Sequence, residues 1–388
     1  MKNKDVVLIA RPDHSLRIYE ELERSSLSYI YYTFKVFPKW VKTICHNRKL
    51  VCLDGDYSSS FLMTLYNVFA FRYNVRCLKK ISECKLFESF LSPRLDRINA
   101  KVIHYWPKYC KHVVRQYKLS HPETKTFADL YVPNPKFVLE YMEPFMTSLG
   151  LDSKLDYLRD EEKDVAEVMD YETDFFVPSE FVAQSYRKYY PGKNYHVISY
   201  GITIWEGYKK KDIPSAVKSF VYAGAISVEK GCDIICEYFS KHPEKELHLY
   251  GNVSYNEDSI FDRYHIHSNI VFHGSVAKAI LQSELAKYDC GVHMSRFDAY
   301  SLSVGEMIGA GLPVIVSSNT GIRDDVLRYK FGIVSELTFD SFGYNVDSIC
   351  NLELYEQFVD SIDSCVKAQP IKYERAIVNS YLTEFDEN

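Results

Sequence analysis

Asp298 and Glu306 stand eight residues apart across a junction of loop and helix, so the two carboxylates can serve different parts of one ligand. A carboxylate offers two acceptor oxygens, which is what a vicinal diol requires. One acid could face a sugar and the other a ribose. Between them, the loop Asp298-Ala299-Tyr300-Ser301 opens into a helix start, where unpaired N–H groups and the positive end of the dipole attract phosphate. A nucleotide diphosphate carries all of these groups, and this junction is where one would bind.

The flanking sequence supplies the elements that hold the junction in place. Residues 290–294 and 312–316 are short apolar runs of the kind buried in parallel sheets. Leu302, Met307, Ile308 and Ala310 give the intervening helix one apolar face. Strand, helix and strand in that order imply a right-handed crossover. Upstream, strand candidates at 6–10, 29–34, 50–53, 102–106, 126–130, 175–177 and 196–199 alternate with helical stretches, which predicts a doubly wound parallel sheet. A second alternation runs from Phe220 through Val334, and the segment 353–388 reads as helical.

The spacing of Asp298 and Glu306 resembles the D/E-x7-E element of retaining glycosyltransferases of the GT-B fold, glycosyltransferase family 4 in particular. Further motifs follow in the same order. Phe176-Val177-Pro178-Ser179-Glu180-Phe181 resembles the segment that closes the family's first domain, and Ser199-Tyr200-Gly201-Ile202 resembles the turn before its linker. Val221-Tyr222-Ala223-Gly224-Ala225 with Glu229-Lys230-Gly231 is similar to its donor loop. Leu247 to Gly251 and Val271 to Val276 match the next two strands. The resemblance spans roughly residues 170–335.

The resemblance implies an α/β GT-B architecture of two Rossmann-like doubly wound domains facing a central cleft. Residues 1–203 would bind the acceptor, 204–219 would link, 220–365 would bind the nucleotide sugar, and a helix in 366–388 would cross back to the first domain. It places Glu306 on the donor ribose and Lys230 on the diphosphate, with Gly224, Val276, Ala299, Tyr300, Ser301 and Leu302 completing the donor site. Asp298 would position the donor sugar rather than attack it, and Asp129 and His104 would orient acceptor or donor sugar from the first domain. No metal or other cofactor is expected, because Lys230 with helix amides can carry the diphosphate charge that a metal ion carries in other transferases.

The chain departs from the family pattern at four places. Asp stands at 298 where Glu is usual, and Ala225 stands where an arginine would grip phosphate in bidentate fashion. Arg296 or Arg323 could compensate. The glycine-rich loop after the first strand is replaced by Arg11-Pro12-Asp13-His14-Ser15, and Thr126-Phe127-Ala128-Asp129 lacks the histidine of the corresponding element.

Length and composition suit a two-domain globular protein: 388 residues, 46% hydrophobic and 26% charged. No apolar run approaches the roughly 18 to 20 residues needed to cross a bilayer. The N-terminus passes directly into a strand, so no cleaved signal is expected, and ten scattered cysteines without a C-x-x-C pair suit reduced thiols in the cytoplasm.

Charge is unevenly divided. Residues 1–150 hold 24 Lys and Arg against 14 Asp and Glu, whereas residues 151–388 hold 23 against 38. A basic first half, with aromatics interleaved at 40–42 and 69–80, suits an anionic membrane surface; a solvated basic face accounts for it equally well. No nucleic-acid module is visible, and nucleic acid is not an expected partner. The expected activity is retaining transfer of a sugar from a nucleotide diphosphate donor to a hydroxyl of a glycan or lipid-linked acceptor, as in surface polysaccharide or glycoconjugate synthesis. The alternatives are a catalytically silent partner subunit of the same fold and a GT-B sugar-nucleotide epimerase.

Overall fold

A computed structural model describes residues 2–10, 12–33, 36–38, 51–53, 57–59, 83–205, 207–368 and 372–386. Two wholly parallel sheets dominate it. The first contains β1 (Lys2–Ile9), β2 (Tyr29–Thr33), β5 (Tyr57–Ser59), β6 (Ile98–Tyr105), β7 (Lys125–Asp129), β8 (Asp174–Val177) and β9 (Asn194–Val197), while β3 (Val36–Pro38) and β4 (Val51–Leu53) form a separate ribbon. Its strand order is β5-β2-β1-β6-β7-β8-β9. The second contains β10 (Ser219–Ala223), β11 (Glu246–Tyr250), β12 (Ile270–Gly274), β13 (Cys290–His293), β14 (Val314–Ser317) and β15 (Gly332–Ser335) in the order β12-β11-β10-β13-β14-β15.

Both orders reverse direction beside the first strand of the sheet, between β1 and β6 and between β10 and β13. Helices leave such a switch point on opposite faces, which opens a crevice at the carboxyl ends of the strands. The central strands are apolar throughout their inner residues because helices cover both faces. Val6 to Ile9 and Val314 to Val316 are fully buried for this reason.

The expected strand at 50–53 exists only as Val51–Leu53, and it pairs with Val36–Pro38 instead of joining the main sheet. The edge of that sheet is Tyr57–Ser59, a polar triplet that apolar patterning does not reveal. Two helices, Leu352–Ala368 and Tyr373–Asp386, occupy the C-terminal segment. They serve different cores. Tyr355, Phe358 and Val359 pack with the second sheet, whereas Ile377, Val378 and Tyr381 are buried with β1 and β6. The aromatic and basic segments at 40–42 and 69–80, together with Glu206, lie outside the described residues.

The two halves also share a core. Val138, Met142 and Met146 on the helix Pro135–Ser148 join Phe220, Tyr222 and Phe297 in one buried cluster. That helix begins sharply because Asn134 caps it, its side-chain oxygen accepting from the amides of Lys136 and Phe137 ahead of Pro135 at the first turn. Lys154 forms an ion pair with the buried carboxylate of Glu257 across the same boundary.

Candidate functional site

The loops leaving β10 and β13 meet at the switch point of the second sheet. The first loop turns back at Gly231, whose φ is +68°; a Cβ there would lie 1.8 Å from the carbonyl oxygen of Met294. Only glycine allows this approach, and it brings Lys230 beside the loop after β13. Lys230 Nζ is 2.9 Å from Asp298 Oδ2 and 3.8 Å from Glu229 Oε1. Burial alone would lower the Lys230 pKa, but the carboxylates of Asp298 and Glu229 hold it above its ordinary value. Burial would likewise raise Asp298, yet Lys230 and His293 hold its carboxyl well below the usual range. Glu229 is pushed up, chiefly by burial.

The loop from Asp298 to Ser301 is fixed on several sides. Asp298 Oδ1 accepts from the Tyr300 amide at 3.2 Å, and the Asp298 carbonyl accepts from the Gly321 amide at 2.9 Å. Ser301, at φ +76°, turns the chain into the helix Leu302–Gly309. The first amides of a helix have no partner within it, and the positive end of its dipole faces the same loop. Glu306 lies two turns along, its carboxylate 2.6 Å from Lys278 Nζ. Leu302 is exposed, whereas Val276 is half-buried against the apolar cluster of Tyr250 and Met307. Gly224 ends β10 at φ +146°, and its carbonyl lies so close to Gly251 that a Cβ at 251 would be 1.7 Å away.

Lys230 and Asp298 are thus in direct contact, and the donor-loop residues Gly224, Ala299, Tyr300, Ser301 and Leu302 lie on the two loops that converge there. Glu306 stands on the helix that the second loop opens. His104 and Asp129 form a pair of their own: His104 Nε2 is 3.5 Å from Asp129 Oδ2, and both side chains are buried. The tail helix covers this pair. Tyr381 places its hydroxyl 2.6 Å from His104 Nδ1, and Tyr373 donates to Asp129 Oδ2 at 3.5 Å. Trp106 stacks on the imidazole at 4.7 Å between ring centroids.

Arg296 and Arg323, the two arginines that could compensate for Ala225, are committed to other partners. Arg296 makes a bidentate pair with Asp233 at 2.7 and 2.8 Å and lies over the Phe145 ring. Arg323 donates to the Ser318 carbonyl and pairs with Asp324 at 3.4 Å. Neither replaces the phosphate-gripping arginine in this arrangement.

Three residues of the site, His293, Glu257 and Asp325, were not read from sequence, nor was the tie that Tyr300 makes to Ser199. His293 ends β13 next to Asp298; Glu257 accepts from the Val228 amide at 2.7 Å and so braces the donor loop. Tyr300 and Asp325 reach the other half of the molecule, with the Tyr300 hydroxyl 2.6 Å from Asp325 Oδ2 and 2.9 Å from Ser199 Oγ. Ser199 itself stands in a quoted motif, and that was the available signal for this tie.

Comparison with known proteins assigns the module. Residues 217–338, which contain both converging loops and the helix bearing Glu306, match the family model described as Glycosyl transferases group 1. Over this segment the chain is similar to the group 1 glycosyl transferases. The whole chain superposes on solved structures that share its GT-B fold. The sucrose-phosphate synthase from Thermosynechococcus elongatus gives a TM-score of 0.69 at 12% identity, covering 100% of both chains. The lipopolysaccharide outer core galactosyltransferase WaaB gives 0.64 at 13% identity, covering 99% of this chain and 100% of that one. Anabaena HepE, solved in complex with UDP and glucose, gives 0.61 at 11% identity, covering 98% and 99%. No curated protein matches in sequence. The segment that matches the group 1 model therefore lies in the second half of a molecule with the GT-B fold.

Proposed function

We propose that this chain is a retaining glycosyltransferase that moves a hexose-type sugar from a nucleotide diphosphate donor to a hydroxyl of a glycan or lipid-linked acceptor. The observation that carries the reading is the pairing of Lys230 with Asp298 at the switch point, inside the segment that matches the group 1 model. A cation at that place would neutralise the diphosphate as the glycosidic bond breaks. Glu306 would accept from the ribose hydroxyls, exchanging its contact with Lys278 for them. Asp298 is one methylene shorter than glutamate and is held ionised, which suits binding a sugar hydroxyl or steadying positive charge at the anomeric carbon.

In this mechanism the leaving diphosphate accepts the acceptor's hydroxyl proton on the same face from which it departs, so configuration is retained. Lys230 and the amides at the start of the helix Leu302–Gly309 carry the negative charge, with no metal ion in the step. His104 and Asp129 would act through the wall of the first domain, shaping the cleft from behind. The basic composition of residues 1–150 supports docking on an anionic membrane surface, where each well-placed Lys or Arg contributes about 1 kcal/mol. Among the described residues no helix is long and apolar enough to cross a membrane.

The test is turnover of a panel of nucleotide sugars with and without EDTA, with the anomeric configuration of the product read by NMR. Slow hydrolysis or transfer of one donor with retention, unchanged by EDTA, is expected. An inverted product would overturn the mechanism, and absence of turnover with every donor in a folded protein would favour the silent-subunit reading.

A further inference from the structure

His293 is the buried polar group at this site that the mechanism leaves unused. Its side chain is 3% exposed, and neither ring nitrogen has a hydrogen-bond partner. An imidazole buried without partners costs free energy unless another state of the protein engages it. Its Nε2 lies 3.5 Å from Asp298 Oδ2, the same oxygen that Lys230 holds at 2.9 Å. Tyr222 lies parallel to the ring, with centroids 5.8 Å apart and planes 6° from each other, so the imidazole is fixed in orientation.

An ammonium and an imidazole therefore converge on one carboxylate oxygen. If Lys230 turns to a diphosphate, as the proposed function requires, Asp298 loses the partner that compensates its partly shielded charge. A carboxylate that is largely shielded from water, as Asp298 is at 18% exposure, is unfavourable when left unpaired. We propose that His293 takes a proton from solvent as the nucleotide sugar binds and replaces Lys230 as the partner of Asp298. The exchange is one proton gained by the protein for each nucleotide sugar bound, and no bond is broken. This inference rests on the donor-site reading and adds the device that frees Lys230.

The surroundings leave the imidazole as the group that responds. Tyr222 from β10 and Asp298 from its own loop face it; Lys230 and Glu229, from the loop after β10, stand beside Asp298, and Cys232 from the helix Cys232–Ser240 lies by the Tyr222 hydroxyl. Burial pushes the Tyr222 hydroxyl well up and the Cys232 thiol up to about 12, so both stay neutral near neutral pH. Asp298 and Lys230 are already charged. By linkage, a proton bound together with the ligand makes affinity rise as pH falls.

The experiment is isothermal titration calorimetry of the full chain with UDP-glucose, GDP-mannose and ADP-glucose. Their diphosphates are doubly esterified and exchange no proton near neutrality. Titrations in two buffers of different ionisation enthalpy count the protons taken up, and a series from about pH 8 to about pH 6 follows the affinity. The wild type is expected to take up a proton with the donor that binds, and to bind it roughly tenfold more tightly at the lower pH. His293→Gln should bind with no uptake and a flat pH dependence. Binding by the wild type without proton uptake would overturn this inference and leave the donor site standing. Failure of all three donors to bind a cooperatively folded wild type would overturn both. The wild-type measurement is sufficient even if His293→Gln does not fold.

Discussion

Lys230 Nζ and Asp298 Oδ2 lie 2.9 Å apart across two loops that are 68 residues apart in sequence, so each is the other's counter-ion before any ligand arrives. The contact is partly shielded, with side-chain exposures of 25% and 18%. Removing one partner leaves the other charged and desolvated. Lys230→Met is therefore expected to destabilise by about 2–3 kcal/mol. The double variant Lys230→Met with Asp298→Asn should recover most of that loss while remaining unable to bind donor. Chemical denaturation of the single and double variants checks the first part, and nucleotide titration checks the second.

The acid limb of stability follows from the depressed carboxyls. Asp298 and Asp174 are held well below their ordinary values despite burial, the first by Lys230 and His293 and the second by His196, Thr173 and Lys125. Burial raises Asp5 as well, but Lys101 and Ser28 bring it down to about 2. A carboxyl depressed on folding contributes stability above its unfolded pKa of about 4, and that contribution disappears as pH falls through the folded value. Stability should thus decline below about pH 4, and Asp174→Asn should make the decline shallower. Glu229 has the opposite sign: its pKa is raised, so the fold disfavours its ionised form, and Glu229→Gln should stabilise near neutral pH. Denaturant midpoints measured across pH test both statements.

Backbone approach predicts two glycine variants. Gly231→Ala places a methyl 1.8 Å from the Met294 carbonyl oxygen at φ +68°, so the donor loop must move away from Asp298. Gly309→Ala meets the Thr203 carbonyl oxygen at 1.8 Å and pushes the Glu306 helix away from the segment at Thr203. Each should destabilise by about 1–3 kcal/mol and weaken nucleotide binding. Comparison with Gly192→Ala, where a Cβ would meet open space, controls for loss of glycine as such.

The hydroxyl of Tyr300 joins the donor loop to Ser199 and Asp325. Tyr300→Phe keeps the ring packed on Tyr200 and leaves the Ser199–Asp325 hydrogen bond, so the expected stability loss is only about 1 kcal/mol. Turnover should fall more than stability suggests, because the loop proposed to hold the donor is released from Ser199. Equal effects on stability and turnover would argue against such coupling.

Sequence made the parallel architecture legible because the buried strands are short continuous apolar runs and the intervening turns carry residues of restricted type. It also pointed to the neighbourhood of Lys230 and Asp298, since Gly231 and the D-x7-E spacing lie in contiguous motifs. Contacts between distant segments were invisible. His293 looks like one more residue of a buried strand, and only the fold shows that it shares an oxygen with Lys230. The enclosure of His104 and Asp129 by Tyr381 and Tyr373 depends on a helix more than 240 residues downstream in sequence. The strand Tyr57–Ser59 has no apolar pattern and was missed for that reason.

The central claim is that the switch point of the second sheet binds a nucleotide diphosphate sugar through Lys230 and Glu306. A thermal-shift series with UDP, GDP, ADP and their common sugar conjugates tests it most directly, because a ligand that binds only the folded chain must raise its melting temperature. One nucleotide family should raise the midpoint by about 2–4 °C at saturating concentration, and Lys230→Ala and Glu306→Ala should each abolish the rise. A chain that melts cooperatively with no shift from any of them, or a shift that survives both substitutions, would contradict it.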